Sequence, residues 1–294
     1  MDVSATIARL FVYPIKSCAG VELPEALLTE TGLEFDRAWM VVDAQGVFVT
    51  QRELPRMALI QPQLKSLEMV LRAPGMLALH VALDAVEQPV QVTVWKDTVA
   101  AFDMGDVAAQ WFSDFLNTGA DGQRVAAPQA YRLVRFDPEH KRLSSLQWTR
   151  GTEALNQFCD GFAVLVVSES ALDELNTRLL AAGESAVTME RFRPNIVLSG
   201  IDAHDEDRLD ELLISTAQGQ ARLRMVKPCP RCPIPNIDPS TAISTPTVSD
   251  MLQTYRQTAV VGGAVAFGMN AIVLDGVDFE LRTGQSAAAD YKFD

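Results

Sequence analysis

The chain has 294 residues, 48% of them hydrophobic and 21% charged, which is ordinary for a soluble globular protein and more than one core usually organises. Its formal net charge is −13, and no basic patch or stripe appears, which argues against nucleic acid as a partner. Four cysteines do not make a disulfide framework, no charged and then apolar leader opens the chain, and no run approaches the roughly 20 apolar residues of a spanning helix, so a reducing, cytoplasmic setting away from membranes is expected.

The first third reads as β. Residues 6–15 are rich in β-branched and aromatic types. Residues 37–52 have the pattern of a hairpin turning at Asp43-Ala44-Gln45-Gly46. Short strands are predicted over 67–71, 77–81 and 90–95, a spacing that suits a barrel or sandwich. Apolar residues at helical spacing predict a helix over 106–116, with Asp106 as its N-cap. The polar, glycine-containing stretch 117–129 is the expected boundary, dividing the chain into domains 1–122 and 123–294.

The second half is mixed. The apolar run 162–167 predicts a buried strand, and Ser168 caps a helix continuing to Leu180. Strands are predicted over 193–199, 221–226, 265–274 and 277–281, with a helix over 246–257 capped by Thr245. The fold class is therefore mainly β with flanking helices.

The stretch Val226-Lys227-Pro228-Cys229-Pro230-Arg231-Cys232-Pro233 sets two cysteines beside two cations in a proline-stiffened loop. Positive charge favours a thiolate, which is a nucleophile and a soft metal ligand. A structural zinc needs four ligands, and Cys18, Cys159, His80, His140 and His204 form no second pair to complete one. A thioredoxin-like pair wants a helix start, which Pro233 and Pro235 oppose. Two inert thiols and one catalytic or metal-binding thiolate remain open on spacing alone.

Other segments carry a resemblance. Tyr13-Pro14-Ile15-Lys16-Ser17-Cys18, Phe35-Asp36-Arg37-Ala38-Trp39 and Val49-Thr50-Gln51-Arg52-Glu53-Leu54-Pro55-Arg56 resemble successive blocks of the N-terminal β domain of MOSC proteins (molybdenum cofactor sulfurase C-terminal domain). Phe192-Arg193-Pro194-Asn195-Ile196-Val197 and Cys229-Pro230-Arg231-Cys232 with Asp238-Pro239 resemble the MOSC domain itself. The resemblance spans nearly the whole chain and is nearest to the amidoxime-reducing members of the family. It implies an N-terminal β-barrel-like domain packed on a C-terminal MOSC β-barrel domain, with a molybdenum cofactor between them. Cys232 is the implied metal ligand, and Asp160, before the predicted strand 162–167, is the implied proton donor or relay.

The resemblance also implies Lys16, Ser17, Arg37, Arg193, Asn195, Arg231 and Asn270 as cofactor-binding residues, Arg231 favouring the thiolate of Cys232. The implied activity is reduction of N-hydroxylated compounds: amidoximes, hydroxylamines and N-hydroxylated bases. Some relatives append an iron–sulfur domain, but no cysteine follows Cys232, so the electrons are expected from a separate protein, an iron–sulfur or flavin reductase. Where relatives continue the aspartate block with hydroxyl residues, this chain has Gly161-Phe162. A carrier of molybdenum cofactor or of persulfide sulfur is the alternative.

Overall fold

The computed structural model describes residues 2–85, 88–119 and 123–292. The expected boundary between 122 and 123 touches the segment 120–122, which lies outside the described residues.

The β-branched start forms β1 (Val3–Val12), against which β2 (Val21–Leu23) pairs. β3 (Glu25–Thr29) and β4 (Gly32–Leu33) make a short antiparallel pair. After β5 (Trp39–Asp43), a meander runs through β6 (Gln61–Leu64), β7 (Glu68–Arg72) and β8 (Leu79–Ala82). β9 (Gln88–Val94) and β10 (Asp97–Asp103) form a hairpin, followed by α1 (Gly105–Leu116) and β11 (Tyr131–Phe136). β12 (Val164–Ser168) leads into α2 (Glu169–Ala181), and β13 (Ile196–Ser199), β14 (Leu209–Ser215) and β15 (Gln220–Pro230) follow. α3 (Thr247–Gln253) precedes β16 (Ala266–Asp275), β17 (Glu280–Arg282) and β18 (Ser286–Tyr291).

Seven strands close a barrel in the order β13-β12-β16-β15-β14-β18-β1, because β1 also pairs with β13. Closure leaves no open edge in that ring. Its interior holds Ile7, Leu10, Leu198, Leu212, Leu223 and Ala271. A second sheet, β5-β11-β10-β9, packs with α1 and the meander around Trp39, Phe112, Phe115 and Leu133. The architecture is mainly β, with three α-helices among the described residues, as the sequence predicts.

Several local expectations need correction. The second arm of the hairpin over 37–52 joins its neighbours only through the isolated bridges Val42↔Phe48 and Val47↔Thr93. Asp106 does not cap α1: Met104 holds the N-cap position, and Asp103 Oδ1 instead accepts from Gly105 N at 2.7 Å. α3 is shorter than predicted, and its N-cap is Pro246 rather than Thr245. Ser168 does cap α2, accepting from Ala171 N at 3.3 Å.

Candidate active site

Three segments that run between the barrel and the second sheet meet at one seam. Tyr13 N donates to Asp36 Oδ1 at 2.8 Å and Arg37 N to Tyr13 O at 2.9 Å. Phe158 N donates to Arg37 O at 3.2 Å, drawing in the approach to β12. The turn before β13, the end of β15 and Asn270 on β16 complete the walls of an open cleft. All nine candidate residues line it: Lys16, Ser17, Arg37, Asp160, Arg193, Asn195, Arg231, Cys232 and Asn270.

Three of them adopt left-handed backbone, with φ of 68° at Ser17, 51° at Arg37 and 57° at Arg193. Non-glycine residues are disfavoured there, and such strain concentrates at sites where function sets the geometry. Each sits in a crossing or turn, where it re-aims its side chain into the seam.

Five cations line the cleft, Lys16, Arg37, Arg52, Arg193 and Arg231, against the single carboxylate of Asp160. In a chain of net charge −13 this is a local inversion of sign. Arg37 and Arg193 both lie over the Tyr13 ring, at 4.4 and 4.2 Å from its centroid. Arg37 donates to Asp36 Oδ2 at 2.5 Å and to Asn195 Oδ1 at 3.1 Å. Burial and then the charge of Arg37 push the Arg193 guanidinium down to about 10. Arg193 Nη1 donates to Cys18 O at 2.6 Å, but its Nη2 is buried without a partner. Arg231 Nε is likewise buried and unpartnered.

Asn195 is a hub rather than a free ligand. Its Oδ1 accepts from Leu165 N at 3.0 Å as well as from Arg37, and its Nδ2 donates to Phe11 O at 3.2 Å. Asn270 Nδ2 donates to Lys227 O at 3.2 Å. Lys16 is buried, donating to Phe158 O at 2.9 Å and pairing with Asp160. Partial burial opposes ionisation of Asp160, but Lys16, Trp95 Nε1 at 3.0 Å and Arg37 outweigh it and hold the carboxyl well below the usual range. At neutral pH it is an acceptor with no proton to donate.

The four thiols divide. Burial pushes Cys18 up to about 12 and Cys159 up to about 11, so both remain neutral. Cys229 and Cys232 are half-buried and line the cleft. Arg231, expected beside Cys232, instead donates from Nη1 to Cys229 Sγ at 3.1 Å and from Nη2 to Phe192 O at 2.7 Å. The reason is local: residues two apart in extended chain share a face, and Cys229 and Arg231 flank the end of β15. Arg52, which the motif reading quoted but did not select, also lines the cleft, as do Thr50 and Cys159.

Residues 4–119 match the MOSC N-terminal beta barrel domain, and residues 154–286 match the MOSC domain. The chain is 36% identical over 248 residues to mitochondrial amidoxime reducing component 2 of Rattus norvegicus, covering 81% of this chain and 68% of that protein. It is 35% identical over 277 residues to mitochondrial amidoxime-reducing component 1 of Mus musculus, covering 90% and 76% respectively. The chain belongs to the MOSC family that includes these proteins. Molybdenum cofactor sulfurase of Bos taurus is 30% identical over 277 residues, 88% of this chain but 30% of that protein.

The cleft of this MOSC protein fits an anionic, sulfur-rich cofactor. Two buried guanidinium N–H groups without partners are a defect unless an acceptor satisfies them, and a phosphate would do so. Two thiols outside any disulfide offer a soft ligand to molybdenum. A structural zinc finds no such fit: among the described residues no three His, Cys, Asp or Glu side chains converge as a metal cage. None of the helices among those residues is long and apolar enough to cross a membrane.

Proposed function

We propose that this MOSC protein holds a molybdenum cofactor in the seam cleft and reduces N-hydroxylated compounds such as amidoximes, hydroxylamines and N-hydroxylated bases, with electrons from a separate protein. The observation that carries this reading is the inversion of charge: five cations and two half-buried free thiols gather in one cleft of an acidic chain, with two guanidinium donors left unpartnered. The names of the amidoxime-reducing relatives support the reaction class.

When bound, the cofactor would supply two-electron chemistry at molybdenum. The chain's own residues bind, orient and handle charge. Arg193 Nη2 and Arg231 Nε are the open donors for its phosphate, and Arg37 buttresses Arg193 through Asn195 and the Arg193 carbonyl. Cys232 is the protein's thiolate ligand in this reading, with Cys229 held by Arg231 beside it. The Lys16–Asp160 pair stands at the cleft mouth with the Asp160 carboxyl held ionised, so Asp160 orients or accepts, and Lys16 sets a positive charge toward a developing anion.

The test is turnover. Protein made in a host that synthesises the cofactor should reduce benzamidoxime to benzamidine with a chemical electron donor, and Cys232→Ala should abolish it. Full activity in cofactor-loaded Cys232→Ala would sink the assignment. Two thiols in one cleft, together with the similarity to a cofactor sulfurase, favour a second reading as a carrier of cofactor or of persulfide sulfur. A carrier would bind without turning over.

A further inference from the structure

The cleft opens into an outer pocket of about 600 Å³. Thr50, Arg52 and Asp160 line both, so the two spaces are continuous. The outer wall is aromatic. Phe48 and Trp95 meet there with ring centroids 5.0 Å apart and planes tilted by 57°.

Trp95 is an unusual choice for its position. It begins the two-residue turn between β9 and β10 and has φ of 56°. Such turns need positive φ and normally recruit Asn, Asp or Gly. A bulky side chain is disfavoured in that conformation, yet this ring is also 46% exposed. Strain retained at the mouth of a cleft points to use rather than packing. The ring is also held: its Nε1 donates to Asp160 Oδ1 at 3.0 Å, and the Arg52 guanidinium carbon lies 4.9 Å from its centroid. The rim charges largely offset one another, with Arg142 paired to Asp97 at 2.9 Å and Arg52 at 3.7 Å from Glu53. What the pocket offers a guest is flat surface, an indole backed by a guanidinium plane.

We propose that Trp95, with Arg52 stacked on it, determines substrate specificity: the outer pocket takes the planar aromatic or heteroaromatic body of the substrate while its N–O group reaches the thiol end of the cleft. This rests on the reductase reading above and deepens it to a substrate class. Stacking of a flat ring on an aromatic side chain is strong enough for roughly tenfold discrimination against an aliphatic body.

Benzamidoxime and acetamidoxime share the reacting group and differ only in that body. Their ratio of kcat/KM and their ratio of binding constants, the latter by calorimetric titration, would be measured on cofactor-loaded wild type, Trp95→Asn and Trp95→Phe. Asn suits left-handed backbone, so Trp95→Asn should melt no lower than wild type. Both ratios should fall about tenfold in Trp95→Asn and be largely kept in Trp95→Phe, which retains a ring but loses the N–H. Unchanged ratios in Trp95→Asn would overturn the proposal. So would equal losses in both variants, because the indole would then act only through its bond to Asp160. If neither compound is reduced but the binding ratio shifts as expected, the pocket assignment stands and the reductase reading fails. If both are reduced and the ratios do not move, the reverse holds.

Discussion

Arg193 shows how much one residue's surroundings decide. Burial and the nearby Arg37 charge depress its guanidinium, and its Nη2 is buried without a partner. An anion there relieves both, so Arg193→Gln should loosen cofactor retention about tenfold, read as molybdenum content after dialysis. Cys229→Ala should keep the metal and alter its environment, whereas Cys232→Ala should lose it; equal loss would show that Arg231's partner is also a ligand. A second buried cluster titrates away from the cleft. Burial, then Asp207, pushes Glu206 up to about 7, while burial, then Arg256, pushes His204 from 6.5 down to about 4. The Glu206 contribution to stability is present below its ordinary value of 4.5 and is lost as pH rises through about 7. The His204 contribution is present above 6.5 and is lost as pH falls through about 4. The two slopes oppose each other between 4.5 and 6.5, so thermal stability should be nearly flat there. Glu206→Gln should expose the histidine slope, with the melting temperature rising from about pH 4 to 6.5. A flat profile in that variant would contradict the account.

At the scale of elements, the motifs were legible through their resemblance to family blocks rather than through turn propensity, which disfavours these residue types at left-handed positions. Ser17, Arg37 and Arg193 lie in blocks that sequence singled out, and all three are left-handed turns at the seam. Trp95 and Arg52 were not selected, because neither a tryptophan in a hairpin turn nor an arginine after a strand announces what faces it. β10, β11, β14 and β18 were not foreseen either. β18, Ser286–Tyr291, is mostly alanine and acquires its strand character from pairing with β1 and β14 rather than from its own propensity. Gly268, in β16, is a glycine that the backbone itself explains. Its φ is 79°, and a Cβ would lie 2.6 Å from Val167 Cγ2 and 2.8 Å from Val166 O. Gly268→Ala should therefore destabilise by about 2 kcal/mol or more, measured by denaturant unfolding. A change below about 0.5 kcal/mol would mean that β16 can shift without loss.

Across the whole molecule, the ends of the chain meet. β1 closes the barrel between β13 and β18, and β11, from beyond the expected boundary, pairs with β5 and β10. The crossings that this interleaving demands are the segments that build the cleft, so fold and site are one arrangement. A fragment beginning at residue 123 lacks β1 and should show no cooperative melt, while adding residues 2–12 as a separate peptide should restore order. The residue pattern along the chain points to β strands, but it could not show that the first strand belongs with the last, because pairings that distant leave no local mark. The most direct test is elemental analysis for molybdenum on wild type and Cys232→Ala, made in a host that synthesises the cofactor. The account predicts near-stoichiometric molybdenum with pterin in the wild type and its loss in the variant. Zinc in its place, or equal molybdenum in both proteins, would contradict it.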